Sequence, residues 1–412
     1  MDSSIGRLKW VLAAVLVLLP GSAFAQNAGA FSLQIDPSIR AAGMGRASTS
    51  VFWDLDPNDW SNPALLGYRR GIQFEHGHTQ LVPDLASDVF FDSDRLTLGA
   101  YGVGVVLAGK PISGLGRTHL DYGMSEATTE QGEVIGTFHS WEDADAEGIG
   151  ISLSSLAETV AGARRVSAWT RFGDVSLGIV KKSVDVELAP AWATGSGQAA
   201  RAKADLYDDG LLLRLTPYNS LDGLGWSSRL DSMLGPYIGG FRLDVSRGWS
   251  ALNRTEQRLN YGVMGQSDPL PHVARRGVAV HVAVGLPAAL RDALKAQHLG
   301  IVARSLTPLV GWGKAWDREA DRVNPAWGEI KLDGWELTLA NVFTLRRGFI
   351  NDRTGDIIDG TSGWGLGFHI GSSFAFRYDS ATIPQAAPLV RVHRRGWMAM
   401  IDPLSIWSDL AR

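Results

Sequence analysis

The chain of 412 residues has no cysteine, so disulfides, thiol nucleophiles and cysteine metal sites are excluded. Beyond Leu19 no stretch approaches the ~20 consecutive apolar residues that a membrane-crossing helix needs. Charge of one sign is also lacking: 39 Lys and Arg stand against 43 Asp and Glu, a balance that argues against a nucleic-acid partner. No G-x-S-x-G nucleophile elbow occurs, and Gly363, Gly365 and Gly367 lack the spacing and following helix of a dinucleotide loop. What the chain does have is 48 Gly and 15 Trp, and Trp is enriched where a protein meets a membrane interface.

The N-terminus carries Arg7 and Lys9, an apolar run from Trp10 to Leu19, then Pro20-Gly21 and Ala23-Phe24-Ala25. That is the order of a secretory signal peptide, with cleavage expected after Ala25. The apolar run is too short to span a bilayer as a helix, so the protein is expected to leave the cytoplasm.

The clearest periodicity lies between Trp364 and Gln385. Leu366, Phe368 and Ile370 alternate with Gly365, Gly367 and His369; after Gly371-Ser372-Ser373, Phe374, Phe376 and Tyr378 alternate with Ala375, Arg377 and Asp379. A period of two predicts strands, and the small-residue break predicts a hairpin turn. One face is large and apolar, the other small or polar. A soluble sandwich would bury the apolar face against a second sheet, whereas a membrane barrel turns it to lipid. Export, the absence of cysteine and the Gly and Trp content favour the barrel. The fold class is therefore all-β, a transmembrane antiparallel β-barrel in the bacterial outer membrane.

Alternation of the same kind marks Ile72 to Gln80, Leu96 to Tyr101, Val103 to Gly109, Ile149 to Ser154, Arg165 to Phe172, Val175 to Lys181, Leu211 to Tyr218 and Ile238 to Ser246. It continues at Arg258 to Met264, Val278 to Leu286, Ile301 to Leu306, Leu309 to Trp316, Trp335 to Leu345 and Val390 to Ile401. With the two hairpin arms this makes about sixteen segments. Pro287 can open a helix, and Leu290 and Leu294 share a face, so a short helix is predicted within Leu286 to His298. Asp121 to Glu147 is acidic without Lys or Arg and is predicted to be a long loop. Basic pairs at Arg164-Arg165, Lys181-Lys182, Arg275-Arg276, Arg346-Arg347 and Arg394-Arg395 fall near strand ends. They keep charge at the water boundary or contact anionic lipid head groups.

Gln26 to Gly71 does not read as strand. It holds Arg40-Ala-Ala-Gly43-Met-Gly45, an acidic stretch with Asp54, Asp56 and Asp59, and Trp60-Ser-Asn62-Pro63-Ala64-Leu-Leu66. This run resembles the N-terminal hatch of the PorV/PorQ group of outer-membrane proteins, relatives of the FadL-type channels. The closing stretch with Phe376, Tyr378, Asp379 and Pro384 is similar to the late barrel hairpin of that family, as is Trp335 to Asp352; Pro111 to Arg275 has no match. The resemblance implies a FadL-like barrel of about 14 strands with a plug. The expected division is a signal peptide at 1–25, a plug at 26–71, a barrel at 72–401 and a tail at 402–412, the last strand ending near Ile401 or including Trp407.

Asp54, Asp56 and Asn58 have the odd spacing of a calcium loop, but Asp59 and Leu65 stand where Gly and Glu are required. Gly43 and Gly45 read as positions of a tight turn or of close packing against the wall. His76 and His78 share a strand face with no second ligand pair near in sequence, and are expected to point into the lumen. No catalytic residue, metal or cofactor is expected. The resemblance to PorV implies a non-enzymatic role in protein export of the type IX kind, with secretion-system proteins or secreted cargo as partners. The resemblance to FadL implies instead diffusion of a hydrophobic small molecule. A lipid-modifying enzyme is a third alternative, because a site on barrel side chains needs no local motif. Outer-membrane lipid is a partner in every case.

Overall fold

The computed structural model describes residues 29–108, 117–161, 172–221, 239–262, 267–323 and 328–410. Residues 1–25, expected to be a signal peptide, lie outside them, as do 165–171 of one expected strand and 109, 238 and 263–264 at the ends of three others. The described residues form seventeen strands: β1 (Gly71–Gln80), β2 (Val89–Ala100), β3 (Val103–Ala108), β4 (Arg117–Thr128), β5 (Val134–Ser152), β6 (Gly173–Ala189), β7 (Ala200–Asn219), β8 (Phe241–Arg254), β9 (Arg258–Asn260), β10 (Ser267–Pro269), β11 (Val273–Val284), β12 (Val310–Asp321), β13 (Glu329–Leu339), β14 (Phe343–Asp352), β15 (Ile357–Ile370), β16 (Phe374–Ile383) and β17 (Val392–Ile401). Fifteen of them make one sheet. β3 and β4 share a single wall position, because β2 pairs with β3 through Leu96–Ala100 and with β4 through Val89–Ser93. The sheet closes where Ile72 of β1 faces Ile401 of β17, giving a 14-stranded antiparallel barrel. Closure leaves no open edge, as a wall in lipid requires.

Side-chain alternation decides which way the wall faces. In β15 and β16, Leu366 faces Tyr378 and Phe368 faces Phe376 across the strands. Leu366 is 53% exposed, whereas Ala375 and Ala381, on the opposite face, are fully buried. Large apolar groups point out and small or polar groups point in, the pattern of a lipid-facing barrel. Trp249, Trp316, Trp335, Trp364 and Trp397 also point outward, and the Trp364 ring lies 5.8 Å from that of Tyr378. Among the described residues no helix is long and apolar enough to cross a membrane; the strands do the crossing.

Several expected elements differ. The acidic stretch Asp121 to Glu147 is a hairpin of β4 and β5, with only residues 129–133 in the turn. Its Asp143, Asp145 and Glu147 occupy alternate positions, and cross-strand neighbours such as Lys181 opposite Glu147 offset their charge. The expected strand Ile149 to Ser154 gives way at its end to α2 (Leu153–Ala161), and Ile301 to Leu306 is not a strand but α4 (Gly300–Ser305), which follows α3 (Ala288–Ala296), the helix predicted after Pro287. Trp335 to Leu345 is interrupted: Ala340 and Asn341 take left-handed backbone (φ 52° and 56°) and turn β13 into β14. Arg258 opens β9, which pairs only with β10 and stays out of the wall. His76 and His78 point outward, bonded to Asp94 (2.8 Å) and Asp92 (2.5 Å) on β2; Gly77 and Thr79 take the inward positions. The last strand ends at Ile401, and α5 (Pro403–Leu410) follows.

Residues 29–70 fill the lumen. They form a 3-10 turn at Phe31–Gln34, the short helix α1 (Ile39–Gly43) and a second 3-10 turn at Pro63–Tyr68. The Ser38 side chain caps α1 by accepting from Ala41 N–H (3.1 Å), and Asn62 caps the second turn by accepting from Ala64 N–H (3.1 Å), the usual partners of otherwise orphaned N–H groups. Toward the rim away from the start of β1, an apolar core of Leu33, Trp60, Val184, Leu206 and Leu259 packs the lumen, with β9 and β10 folded over it.

The plug meets the wall backbone to backbone, through glycine. Gly99, Gly104, Gly150, Gly178 and Gly210 are direct cross-strand neighbours from β2 to β7. A methyl at Gly104 would overlap the Leu66 carbonyl oxygen, one at Gly178 that of Pro63, and one at Gly210 the Asn62 side-chain oxygen. Gly334 and Gly348 form a second pair, packed on the backbone of Met44 and Gly45. Glycine in a strand marks a close backbone approach of this kind. Gly104→Ala combined with Gly178→Ala should destabilise the folded barrel by about 1–3 kcal/mol per site. Gly132→Ala, in open space but at a positive φ, should cost less. The gel-mobility difference between folded and heat-unfolded barrel, followed against temperature, measures both.

Candidate functional site: the plug contacts and the lumenal chamber

The charged residues of the plug are answered by charges on the wall. Arg40 on α1 donates to Glu336 of β13 at 2.9 and 2.7 Å, and Trp53 donates to the same carboxylate at 3.1 Å. Arg346 of β14 bridges Glu336 (2.6 Å) and Asp379 (2.5 Å). Arg377 of β16 then joins Asp379 (2.7 Å) to Asp54 (2.5 Å) and to Asp56. All these groups except Asp54 are nearly inaccessible to water. The odd-spaced acids that resemble a calcium loop are thus ligands of arginine. Burial opposes the charge on Asp54, but Arg377 and Arg40 outweigh it and hold that carboxyl below its ordinary range; at Asp56 burial prevails and pushes the carboxyl up.

Further clusters pin the plug elsewhere. Asp59 accepts from Arg69 at 2.9 Å and from Arg95 of β2. Burial raises its carboxyl, Arg95 and Arg69 lower it, and the net direction is down. Lys182 of β6 pairs with Asp208 at 2.7 Å and lies 3.7 Å from the Trp60 ring centroid, a cation–π contact in a site sealed from water. Ser48 and Thr49 N–H both donate to Asp317 at 2.8 Å.

Each motif residue has a place in this docking. Gly43 packs against Gly363, and its carbonyl accepts from Thr361 (3.0 Å); Gly45, at φ 63°, has no room for a side chain beside Asp333 and Phe349. Asn62 donates to the Thr49 carbonyl (2.8 Å), Pro63 lies on Gly178, and the Ala64 carbonyl accepts from Ser176 (2.7 Å). In the late hairpin Asp379 belongs to the ion network, Phe376 and Tyr378 face outward, and Pro384 follows the end of β16. Sequence reading passed over Arg40, Arg346, Arg377 and Glu336 as network members; the one signal was a charge at inward positions of otherwise regular strands.

Between the plug and the rim where β1 begins lies a chamber of about 420 Å³. Phe52, Trp53 and Tyr68 of the plug line one side, and Arg214, Asp244 and His281 stand on the wall. Trp53 stacks on His281 at 4.8 Å with an interplanar angle of 9°. The Arg214 guanidinium lies 5.5 Å from the Phe52 centroid and 5.6 Å from that of Tyr68. Burial, then Asp174, keeps the Tyr68 hydroxyl protonated well above its usual range, with Arg214 opposing, and it donates to Asp174 at 2.5 Å. The chamber pairs aromatic faces with a few polar groups, the make-up of a small-molecule site. Among the described residues no group of three or more His, Asp or Glu could hold a metal ion.

No family model matches the sequence, and no curated protein matches it. Solved structures resemble the fold. A FadL homologue of Pseudomonas aeruginosa matches at 8% identity and a TM-score of 0.36, over 89% of this chain and 98% of that one. The toluene transporter TbuX of Ralstonia pickettii matches at 11% identity and a TM-score of 0.36, over 90% and 98%. OprB of Pseudomonas putida matches at 9% identity and a TM-score of 0.30, over 81% and 93%.

Removing Arg377 takes a partner from the buried carboxylates of Asp56 and Asp379 as well as from Asp54, and breaking a buried pair costs about 3–5 kcal/mol. Arg377→Ala should therefore raise hydrogen exchange across residues 39–66 without opening the wall strands. The lowered carboxyl of Asp59 contributes stability that is complete above its unfolded value of about 3.9 and is lost as pH falls through the native one. Relative to the intrinsic exchange rate, the part of plug protection that depends on Asp59 should stay constant from neutral pH down to about pH 5 and fall only in stronger acid. In Asp59→Asn that acid-dependent component should be missing.

Proposed function

We propose that the protein is a non-enzymatic outer-membrane channel whose plug acts as a hatch for small apolar, predominantly aromatic compounds. The observation that carries this reading is the chamber: a lumenal cavity of about 420 Å³ bounded by the rings of Phe52, Trp53 and Tyr68, all on the plug. A compound stacked on those rings contacts the movable element directly. The mode of plug docking supports the same reading. A buried ion pair adds little net stability, because its attraction is offset by lost hydration. The side of the plug held by Arg40, Arg377 and Asp54 regains that hydration when it shifts into water, whereas the side packed on Val184 and Leu206 through Leu33 and Trp60 would have to expose apolar surface.

The export role implied by the PorV-like motifs is the second reading. Gly43, Gly45, Asn62, Pro63 and Ala64 are committed to contacts inside the barrel. The resemblance therefore supports a shared way of seating a plug more than a surface for cargo.

Ala283 lines the chamber and is 3% exposed. Ala283→Phe should fill the chamber and slow entry of a monoaromatic hydrocarbon such as toluene into proteoliposomes several-fold, with the folded barrel retained on gels. If wild-type proteoliposomes admit the probe no faster than protein-free ones, and the tagged protein purified from outer membranes brings down secreted proteins, the channel reading falls and the export reading stands.

A further inference from the structure

The outer face of the wall is hollowed where the glycine row runs. Gly150, Gly178, Gly210, Gly248 and Gly277 face inward on β5, β6, β7, β8 and β11, and four of them meet plug backbone or the Asn62 side chain directly. With no side chain to hold them off, the strands are drawn onto the plug. On the other side of the same strands lies a groove of about 800 Å³. Alternation makes this the outward face: Leu177 and Ile179 flank Gly178 and are about half exposed, at 49% and 52%.

The groove has two chemical halves. Ile149, Leu177, Ile179 and Leu211 form an aliphatic floor on β5, β6 and β7. Arg247, Arg276, Arg318 and Arg322 line the other half, on β8, β11, β12 and the loop after it, with Trp249 between the halves. Asp209 and Glu329 are the acids in the lining. Glu329 is shared by Arg276 (2.6 Å) and Arg318 (3.2 Å), and Asp209 is taken by Arg254 (2.5 Å). Arg247 lies 4.8 Å from the Trp249 ring centroid, and among the described residues neither it nor Arg322 has a carboxylate partner.

We propose that this groove is a binding site for a phosphate-bearing membrane lipid, its acyl chain on the aliphatic floor and its phosphate among the arginines of the other half, where Arg247 and Arg322 carry the charge that no carboxylate answers. Guanidinium groups suit phosphate because their N–H donors match its oxygens in pairs. A Trp at the boundary suits an amphiphile, since indole settles where apolar and polar layers meet. A free phosphate would leave the floor uncovered, and a second copy of the chain would bring the same surplus of arginine against itself. The lipid satisfies both halves at once.

The test uses the full-length barrel in detergent, loaded with phosphatidylglycerol or with diacylglycerol of the same chains, and native mass spectrometry as the readout. The expected result is retention of one phosphatidylglycerol per barrel and no retained diacylglycerol. Arg247→Ala with Arg322→Ala should lower that retention about tenfold, equivalent to about 1.4 kcal/mol. Arg395→Ala, an outward arginine on β17 remote from the groove, should leave it unchanged, and Arg247→Lys should keep a part. Unchanged thermal unfolding of the variants shows that the barrel is intact. Equal retention by the double alanine variant, equal retention of diacylglycerol, or an arginine-dependent dimer in place of lipid adducts would each overturn the assignment.

Discussion

Close approach of two backbones, plug on wall, is the constraint on which the rest of this structure depends. It is possible only where the wall has no Cβ, and the glycines from Gly99 to Gly210 supply that condition strand after strand. Because the approach is so near, plug carbonyls and caps reach wall hydroxyls such as Ser176, Ser246 and Ser250. The lumen is therefore closed by a fitted segment and not by a loop lying across a pore. The same glycines shape the outside, since a wall drawn in toward the plug leaves a hollow toward lipid.

Charge does a different job from glycine. The network from Arg40 through Glu336, Arg346 and Asp379 to Arg377 and Asp54 links one side of the plug to the wall strands β13, β14 and β16. Asp59 with Arg69 and Arg95 repeats the arrangement on β2. Such networks fix register, because a displacement too small to admit water leaves a charge unpaired in a dry place. They add little net attraction, so the plug is positioned accurately without being welded in. That combination suits a hatch, and the aromatic chamber beside it gives the hatch something to respond to.

Outside, the wall divides by chemistry. Apolar and aromatic groups dominate near the rim where β1 begins, and paired charges such as His78 with Asp92, His119 with Asp143 and Arg201 with Asp185 take over farther along the strands. Those pairs are exposed and each contributes little to stability. Their effect is to set where lipid contact ends; of the groove's arginines, Arg322 stands farther along than Trp249, Arg276 and Arg318 are level with it, and Arg247 is two positions nearer the apolar rim.

The sequence by itself determined the local and periodic features: the alternation of Leu366, Phe368 and Ile370, the turn at Gly371, the helix after Pro287 and the non-strand character of the segment before Gly71. These are properties of neighbouring residues and of a period of two, so they are legible in one dimension. It misread Asp121 to Glu147, where regularly placed charge hid two strands, and Ile301 to Leu306, where a short apolar run fits helix or strand equally. Only the tertiary structure decided which way each face points, and so moved His76 and His78 from the lumen to the outer surface. It alone brought Arg40 to Glu336 and Arg377 to Asp54, partners separated by 296 and 323 positions. Pairing at that distance follows from closure of the barrel around the plug, a condition no local stretch of the chain records.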